Sequence, residues 1–244
     1  MIVRALLFLL PTGVALATDL PAQLDWSQRV EVSSSVSGVI ETVNVQPGQR
    51  IPKGTPLLSL NQTVPKANLM EARADADRFG QEAADARRDL DRASELYART
   101  VSSTTELDAA KLRHARANAL LTAAEARLEK ARRLLDESEP RAPFDAVVLD
   151  RRAEPGMVVA SQCQPPLLLI LARADEILAR ANLAANLAAA IKPGAPASVS
   201  VDGKSIAGKV AAVRAKDDGR YQVEVAVRHG GDLMAGMAAT IQLP

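Results

Sequence analysis

From Leu69 onward the apolar residues return at alternating steps of three and four: Leu69, Ala72, Ala76, Phe79, Ala83, Ala86, Leu90, Ala93 and Tyr97. A second run follows the same steps through Leu107, Ala110, His114, Ala117, Leu121, Ala124, Leu128, Ala131 and Leu135. All but His114 are apolar or aromatic, and this spacing, held over about four heptads, predicts a coiled-coil seam. The polar stretch 99–104 separates two runs of equal length, which predicts an antiparallel helical hairpin. At 1.5 Å per residue, arms of roughly 35 residues reach about 50 Å. Pro65 suits the first turn of the first helix and Pro140 closes the second. Thr63 or Asn61 is placed to cap the first helix, and Ser103 the second. Off the seam Arg, Asp and Glu dominate, so the hairpin projects into solvent instead of packing a further face into a bundle.

The segments on either side of the hairpin repeat one pattern. Gly38 to Val45 leads to Pro47-Gly48 and Ile51 and ends in Leu57-Leu58-Ser59-Leu60. Ala146 to Val148 leads to Pro155-Gly156 and Val158-Val159 and ends in Leu167 to Ile170. Neither half has enough strands to be stable alone, so the two pair as a small pseudo-symmetric β-sandwich bridged by the hairpin. Beyond residue 172, alternating apolar residues predict strands at 199–201, 209–214 and 221–227, with turns at Asp202-Gly203 and Asp218-Gly219. Asn182 to Ile191 reads as one short helix, Gly236-Met237 precedes a last strand, and about six strands in all make a small barrel.

The N-terminus changes the picture of where this fold works. Met1 to Arg4 is a short basic start, Ala5 to Ala17 an apolar run broken by Pro11 and Gly13, and Ala15-Leu16-Ala17 a cleavage pattern. This reads as a signal peptide over residues 1–17, with a mature start at Thr18; the run is too short and interrupted for a spanning helix. The formal charge of +1 leaves no field favouring nucleic acid. One cysteine excludes an intrachain disulfide, and with two histidines it excludes the common zinc modules. Aromatic residues are only 2% of the chain, too few for a base- or sugar-stacking platform. His114 has no second histidine or cysteine nearby and reads as a partly solvated seam position. Cys163 reads as a small buried residue. No Ser/His/Asp order, glycine-rich phosphate loop or paired-carboxylate constellation points to catalysis.

Arg141-Ala142-Pro143-Phe144-Asp145 resembles the Ala-Pro-Phe-Asp-Gly motif of periplasmic adaptor subunits, or membrane fusion proteins (HlyD-like, RND-type), with Ala146 in place of the glycine. The first half-motif looks like half of a biotinyl/lipoyl domain. Arg92, Leu96 and Ser103 fall at the family's Arg-x3-Leu-x6-Ser spacing, followed by Asp108 and Ala110. The order half-lipoyl, hairpin, half-lipoyl, barrel covers nearly the whole mature chain. The resemblance implies an α+β, elongated, multidomain fold: a split biotinyl/lipoyl-like β-sandwich with an inserted antiparallel coiled-coil hairpin, then a small β-barrel. The expected segments are an N-terminal strand and first half-motif over 18–62, the hairpin over 63–139 with its tip near 97–105, the second half-motif over 140–171, and the barrel over 172–244. The family's membrane-proximal domain is expected to be absent or vestigial.

Arg92, Leu96 and Ser103 are thereby implied to bind an outer-membrane export channel, with an inner-membrane transporter of RND type at the lipoyl/barrel end. The resemblance further implies a homo-oligomer in the assembled pump, a periplasmic location at the inner membrane, no cofactor and no catalytic activity. Leu96 and Arg92 each precede a seam residue by one position, so both face away from the seam, one helical turn apart. The alternatives are a biotin or lipoate carrier, and a periplasmic scaffold that uses the hairpin for another partner. Against the carrier, the hairpin occupies the junction between half-motifs where the modified lysine turn belongs, and no Met-Lys-Met or Asp-Lys-Ala turn is present.

Overall fold

The computed structural model describes residues 18–162, 165–216 and 219–243; the expected signal peptide, Cys163 and Asp218 of an expected turn lie outside them. Before the hairpin run β1 (Thr18–Trp26), β2 (Arg29–Val32), β3 (Gly38–Val43), β4 (Arg50–Ile51) and β5 (Leu58–Leu60). The hairpin is α1 (Thr63–Ala98) and α2 (Thr104–Glu137), followed by β6 (Ala146–Arg151), β7 (Val158–Val159), β8 (Leu169–Arg173) and β9 (Glu176–Leu183). A one-turn helix α3 (Ala185–Ala188) and strands β10 (Pro196–Val201), β11 (Lys204–Ala215), β12 (Tyr221–Arg228) and β13 (Ala238–Leu243) complete the chain. These elements form two compact units. One gathers residues 18–30, 145–147 and 172–243; the other gathers 31–144 and 148–171.

In the second unit the seam sets the hairpin. Ala76 and Ala83 of α1 and Ala110, Ala124 and Ala131 of α2 are the buried residues of the seam, and the larger side chains along it, such as Phe79, Leu90 and Leu121, are partly covered. Every other expected seam position is at least half-covered except Tyr97, which is 41% exposed. Tyr97 is the last seam position of α1, one residue before the helix ends at Ala98. The base of the hairpin is tied by Ser138, which is 1% exposed. Its carbonyl accepts from Leu60 N–H at 2.9 Å, and its hydroxyl accepts from Gln62 Nε2 at 3.1 Å. Neither residue expected to cap α1 holds the cap position, which falls at Gln62 and has no side-chain cap bond; Asn61, one residue earlier, accepts from Thr63 N–H through Oδ1 at 3.1 Å.

The strands on either side of the hairpin interleave. One sheet has the order β5-β3-β7 and the other β2-β8-β6-β4, so each combines strands from before and after the insert. The hydrogen bonds are reciprocal. Ile40 N–H donates to Met157 O at 2.9 Å and Ile40 O accepts from Gly156 N–H at 2.8 Å; Val148 N–H donates to Gln49 O at 3.0 Å and Val148 O accepts from Gly48 N–H at 2.8 Å. Ile40 and Val148, Gly48 and Gly156, and Gln49 and Met157 stand at one constant interval along the chain. Gly48 and Gly156 have φ of +83° and +86°, which explains why both turns carry glycine. Ile40, Leu57, Leu58, Leu60, Val148, Leu168 and Leu169 of this unit are fully buried. The expected pseudo-symmetry of the two halves is thus present as a hydrogen-bond pattern. Arg141 and Ala142 pair with the segment at Thr55 and Pro56, Ala142 N–H donating to Thr55 O at 3.0 Å.

The first unit is a closed antiparallel barrel in the order β1-β13-β10-β11-β12-β9. Alternating burial in β10 and β13 puts Val199, Val201, Ile241 and Leu243 inside with Leu24, Ile177, Val210, Val223 and Val225. Residues 172–243 alone provide five of its strands. The sixth is β1, which pairs with both β13 and β9 and removes the two edges that a five-stranded sheet would leave. The expected helix over 182–191 is shorter: Asn182 and Leu183 continue β9, where they pair with Gln222 and Tyr221, and only Ala185–Ala188 turns helically.

The hairpin tip as candidate functional site

Five residues, Arg99 to Ser103, connect α1 to α2, and each is anchored. Arg99 N–H donates to Glu95 O at 3.2 Å, Thr100 N–H to Tyr97 O at 2.9 Å and Val101 N–H to Leu96 O at 3.0 Å. The last two bonds make a Schellman cap, which needs a left-handed residue where Thr100 stands; its φ is +60°. A β-branched residue in that conformation is strained by about 1–2 kcal/mol. Replacing Thr100 with glycine relieves this at the cost of extra freedom in the unfolded chain. The expected result is a net gain of about 0.5–1 kcal/mol, read as slower amide exchange at the tip.

On the other side Ser103 caps α2 as expected, and in a two-way arrangement. Its Oγ accepts from Glu106 N–H at 3.3 Å, while Glu106 Oε2 accepts from Ser103 N–H at 3.1 Å. The same carboxylate oxygen accepts from Ser102 Oγ at 2.6 Å. These bonds, the Ser102 hydroxyl first, hold the Glu106 carboxyl below the usual carboxylate range. A group whose folded pKa is lowered adds stability above its unfolded pKa and loses it as pH falls through the folded one. Acid therefore loosens this side of the turn.

Of the three residues expected at the site, Ser103 lies on this turn, Leu96 three residues before it in α1, and Arg92 one helical turn further back. Leu96 is 40% exposed and faces off the seam, as does Arg92 one turn earlier. The Arg92 side chain is 71% exposed, with Nη1 3.4 Å from Asp89 Oδ1. Ser103 sits at the far end of the loop, its hydroxyl engaged in the cap. Reasoning from sequence missed Val101, 72% exposed, which with Leu96 and Tyr97 gives an otherwise polar tip a third exposed apolar side chain. It also missed Glu106, although Ser-x-x-Glu at 103–106 is a legible capping signature.

No chemistry of a reaction centre gathers here. Among the described residues no group of three His, Cys, Asp or Glu is placed to hold a metal. His114 is half-buried on the seam, its Nε2 3.1 Å from Asn118 Nδ2. The ion pairs along the helices, such as Arg78 with Asp75 and Glu82, are exposed pairs of neighbouring turns. No described helix is long and apolar enough to cross a membrane.

No family model matches the chain and no curated protein matches it in sequence. Solved structures do match in shape. The membrane fusion protein Spr0693 from Streptococcus pneumoniae R6 superposes with a TM-score of 0.65 at 14% identity, covering 92% of this chain and 97% of that one. A MacA-MexA chimera containing the Pseudomonas aeruginosa MexA α-hairpin domain gives 0.68 at 19% identity, covering 93% and 78%. MacA from Actinobacillus actinomycetemcomitans gives 0.55 at 17% identity, covering 93% and 77%. The likeness runs through both units and the hairpin, and the chain has the fold of the membrane fusion proteins.

Proposed function

We propose that this protein is a periplasmic adaptor subunit of a tripartite efflux or secretion pump. It is non-catalytic and links an inner-membrane transporter of RND type to an outer-membrane channel. The observation that carries this reading is a membrane fusion protein fold whose hairpin ends in a hydrogen-bonded turn, with Leu96 and Val101 exposed at it and with Arg92, Leu96 and Ser103 at the adaptor spacing. Arg92 offers forked donors to channel carbonyls or carboxylates, Leu96 fills a groove, and Ser103 marks the place of closest approach. The interleaved sheets are the split lipoyl-like sandwich in this reading. The sheets and the barrel are the parts that meet the transporter, and several copies assemble in the working pump.

The test is photo-cross-linking in intact cells from a photoreactive residue at position 99 of the full chain. An adduct with an outer-membrane channel supports the reading; adducts only with other proteins reject it in favour of a scaffold. Intact mass of the periplasmic protein separates it from the carrier and checks export. The expected N-terminus is Thr18, with no biotin or lipoyl increment. A retained leader in the membrane fraction would refute the soluble adaptor, and a modified lysine would establish the carrier.

A further inference from the structure

We propose that Glu106, with Ser102, is a positioning residue of the tip, holding the turn in the one shape that presents Leu96 and Val101 to a partner. The inference rests on the adaptor reading and names residues that the Arg-Leu-Ser spacing does not contain. The loop is closed from both ends by different devices: the Schellman bonds of α1 fix Thr100 and Val101, and the Glu106 carboxylate fixes Ser102 and Ser103. A capping box needs only the Ser103–Glu106 exchange, so the Ser102 hydroxyl on the same oxygen is an added restraint. No core covers this loop: Arg99, Thr100, Val101 and Ser103 are all exposed. Yet Thr100 is kept left-handed there, and a strained residue persists only where its surroundings over-determine it. A turn already ordered before docking loses less conformational freedom when the partner arrives, which converts apolar contact into affinity. Glu106 acts through the turn and not by touching the partner.

The experiment compares Glu106→Ala, Glu106→Gln and Leu96→Ser in the full chain by two readouts. These are amide exchange at Val101, Ser103 and Glu106, and the yield of the position-99 adduct with the outer-membrane channel in cells. Glutamine at this place keeps both halves of the capping box, and alanine keeps neither side-chain bond. Glu106→Ala is expected to speed exchange at the turn and to lower the adduct about fivefold, the equivalent of one lost cap. Glu106→Gln is expected to keep both near the parent level, and Leu96→Ser to lower the adduct while exchange at Ser103 and Glu106 stays slow. Unchanged exchange in Glu106→Ala overturns the proposal, as does fast exchange with an undiminished adduct. Loss of the adduct in Glu106→Gln with slow exchange also overturns it, because Glu106 would then be a charge contact. An undiminished adduct in Leu96→Ser shows instead that the adaptor site itself is misplaced, and the positioning role falls with it.

Discussion

Leu96→Ser is expected to leave the hairpin folded and to abolish docking at its tip, lowering apparent affinity for the channel at least about tenfold, as truncation of a central contact residue commonly does. The helix does not need this leucine for its seam. Leu90 and Ala93 are half-buried against α2, whereas Leu96 faces off the seam and is 40% exposed. One local role does compete. In a Schellman cap the residues at the positions of Leu96 and Val101 commonly make an apolar contact. If that contact were the whole reason for Leu96, then Leu96→Ser and Val101→Ser would loosen the turn equally and efflux would survive both. If Leu96 fills a groove in the partner, Leu96→Ser loses efflux with little change in helical circular dichroism. Ser103→Arg is the poorer probe of the same idea, because it removes the hydroxyl that caps α2 together with any contact. A loss of function there would not separate docking from fold.

The parts of this fold that were legible are those whose partners lie close along the chain or repeat. The hairpin showed because one face recurs every three to four residues for its whole length, and a helix is dictated by such local spacing. Gly48 and Gly156 showed because a left-handed turn demands glycine, and the demand occurs twice. Tyr97 misled, since the apolar spacing runs to the last residue but one of α1, where the helix gives way to the loop and the ring is 41% exposed. The barrel was harder. Its strand β9, Glu-Ile-Leu-Ala-Arg-Ala-Asn-Leu, is buried at five of eight positions and so does not alternate cleanly, and its alanines carry no strand preference. Closure by β1 rests on the pairing of Ala22 with both Ala239 and Ala181, far along the chain, and nothing local to Thr18–Trp26 announces it. At the tip, Arg92, Leu96 and Ser103 were found through a resemblance in spacing. The left-handed Thr100 needed backbone geometry, since a threonine at φ +60° has no signature in sequence, whereas the Glu106 cap was legible and overlooked.

Gly208→Ala is expected to destabilise the barrel by about 2–3 kcal/mol, the range for forcing an extra methyl into a filled site. Gly208 lies within β11, opposite Val227 of β12 and Ala197 of β10. A methyl there would stand 2.8 Å from Ala226 O, 2.8 Å from Val225 Cγ1 and 3.1 Å from Val227 Cγ2. The valines are 0% and 1% exposed, so neither has free space to turn into. The carbonyl belongs to β12, which is held by β11 on one side and β9 on the other. Moving it opens the ladder that carries Val223 and Val225 into the core, and burial of each such side chain stabilises the fold by about 1.5–3 kcal/mol. At about 4–8 °C per kcal/mol for a unit of about 90 residues, the barrel's melting midpoint should fall by roughly 10–20 °C. Gly48→Ala offers a contrast, because nothing stands within 4 Å of its added methyl and only the left-handed φ opposes it. Its cost should be nearer 1 kcal/mol. Thermal unfolding followed by tryptophan fluorescence reports the barrel, since Trp26 is the only tryptophan and lies in β1. A Gly208→Ala midpoint within a degree of the parent would mean that β11 and β12 do not meet in this register.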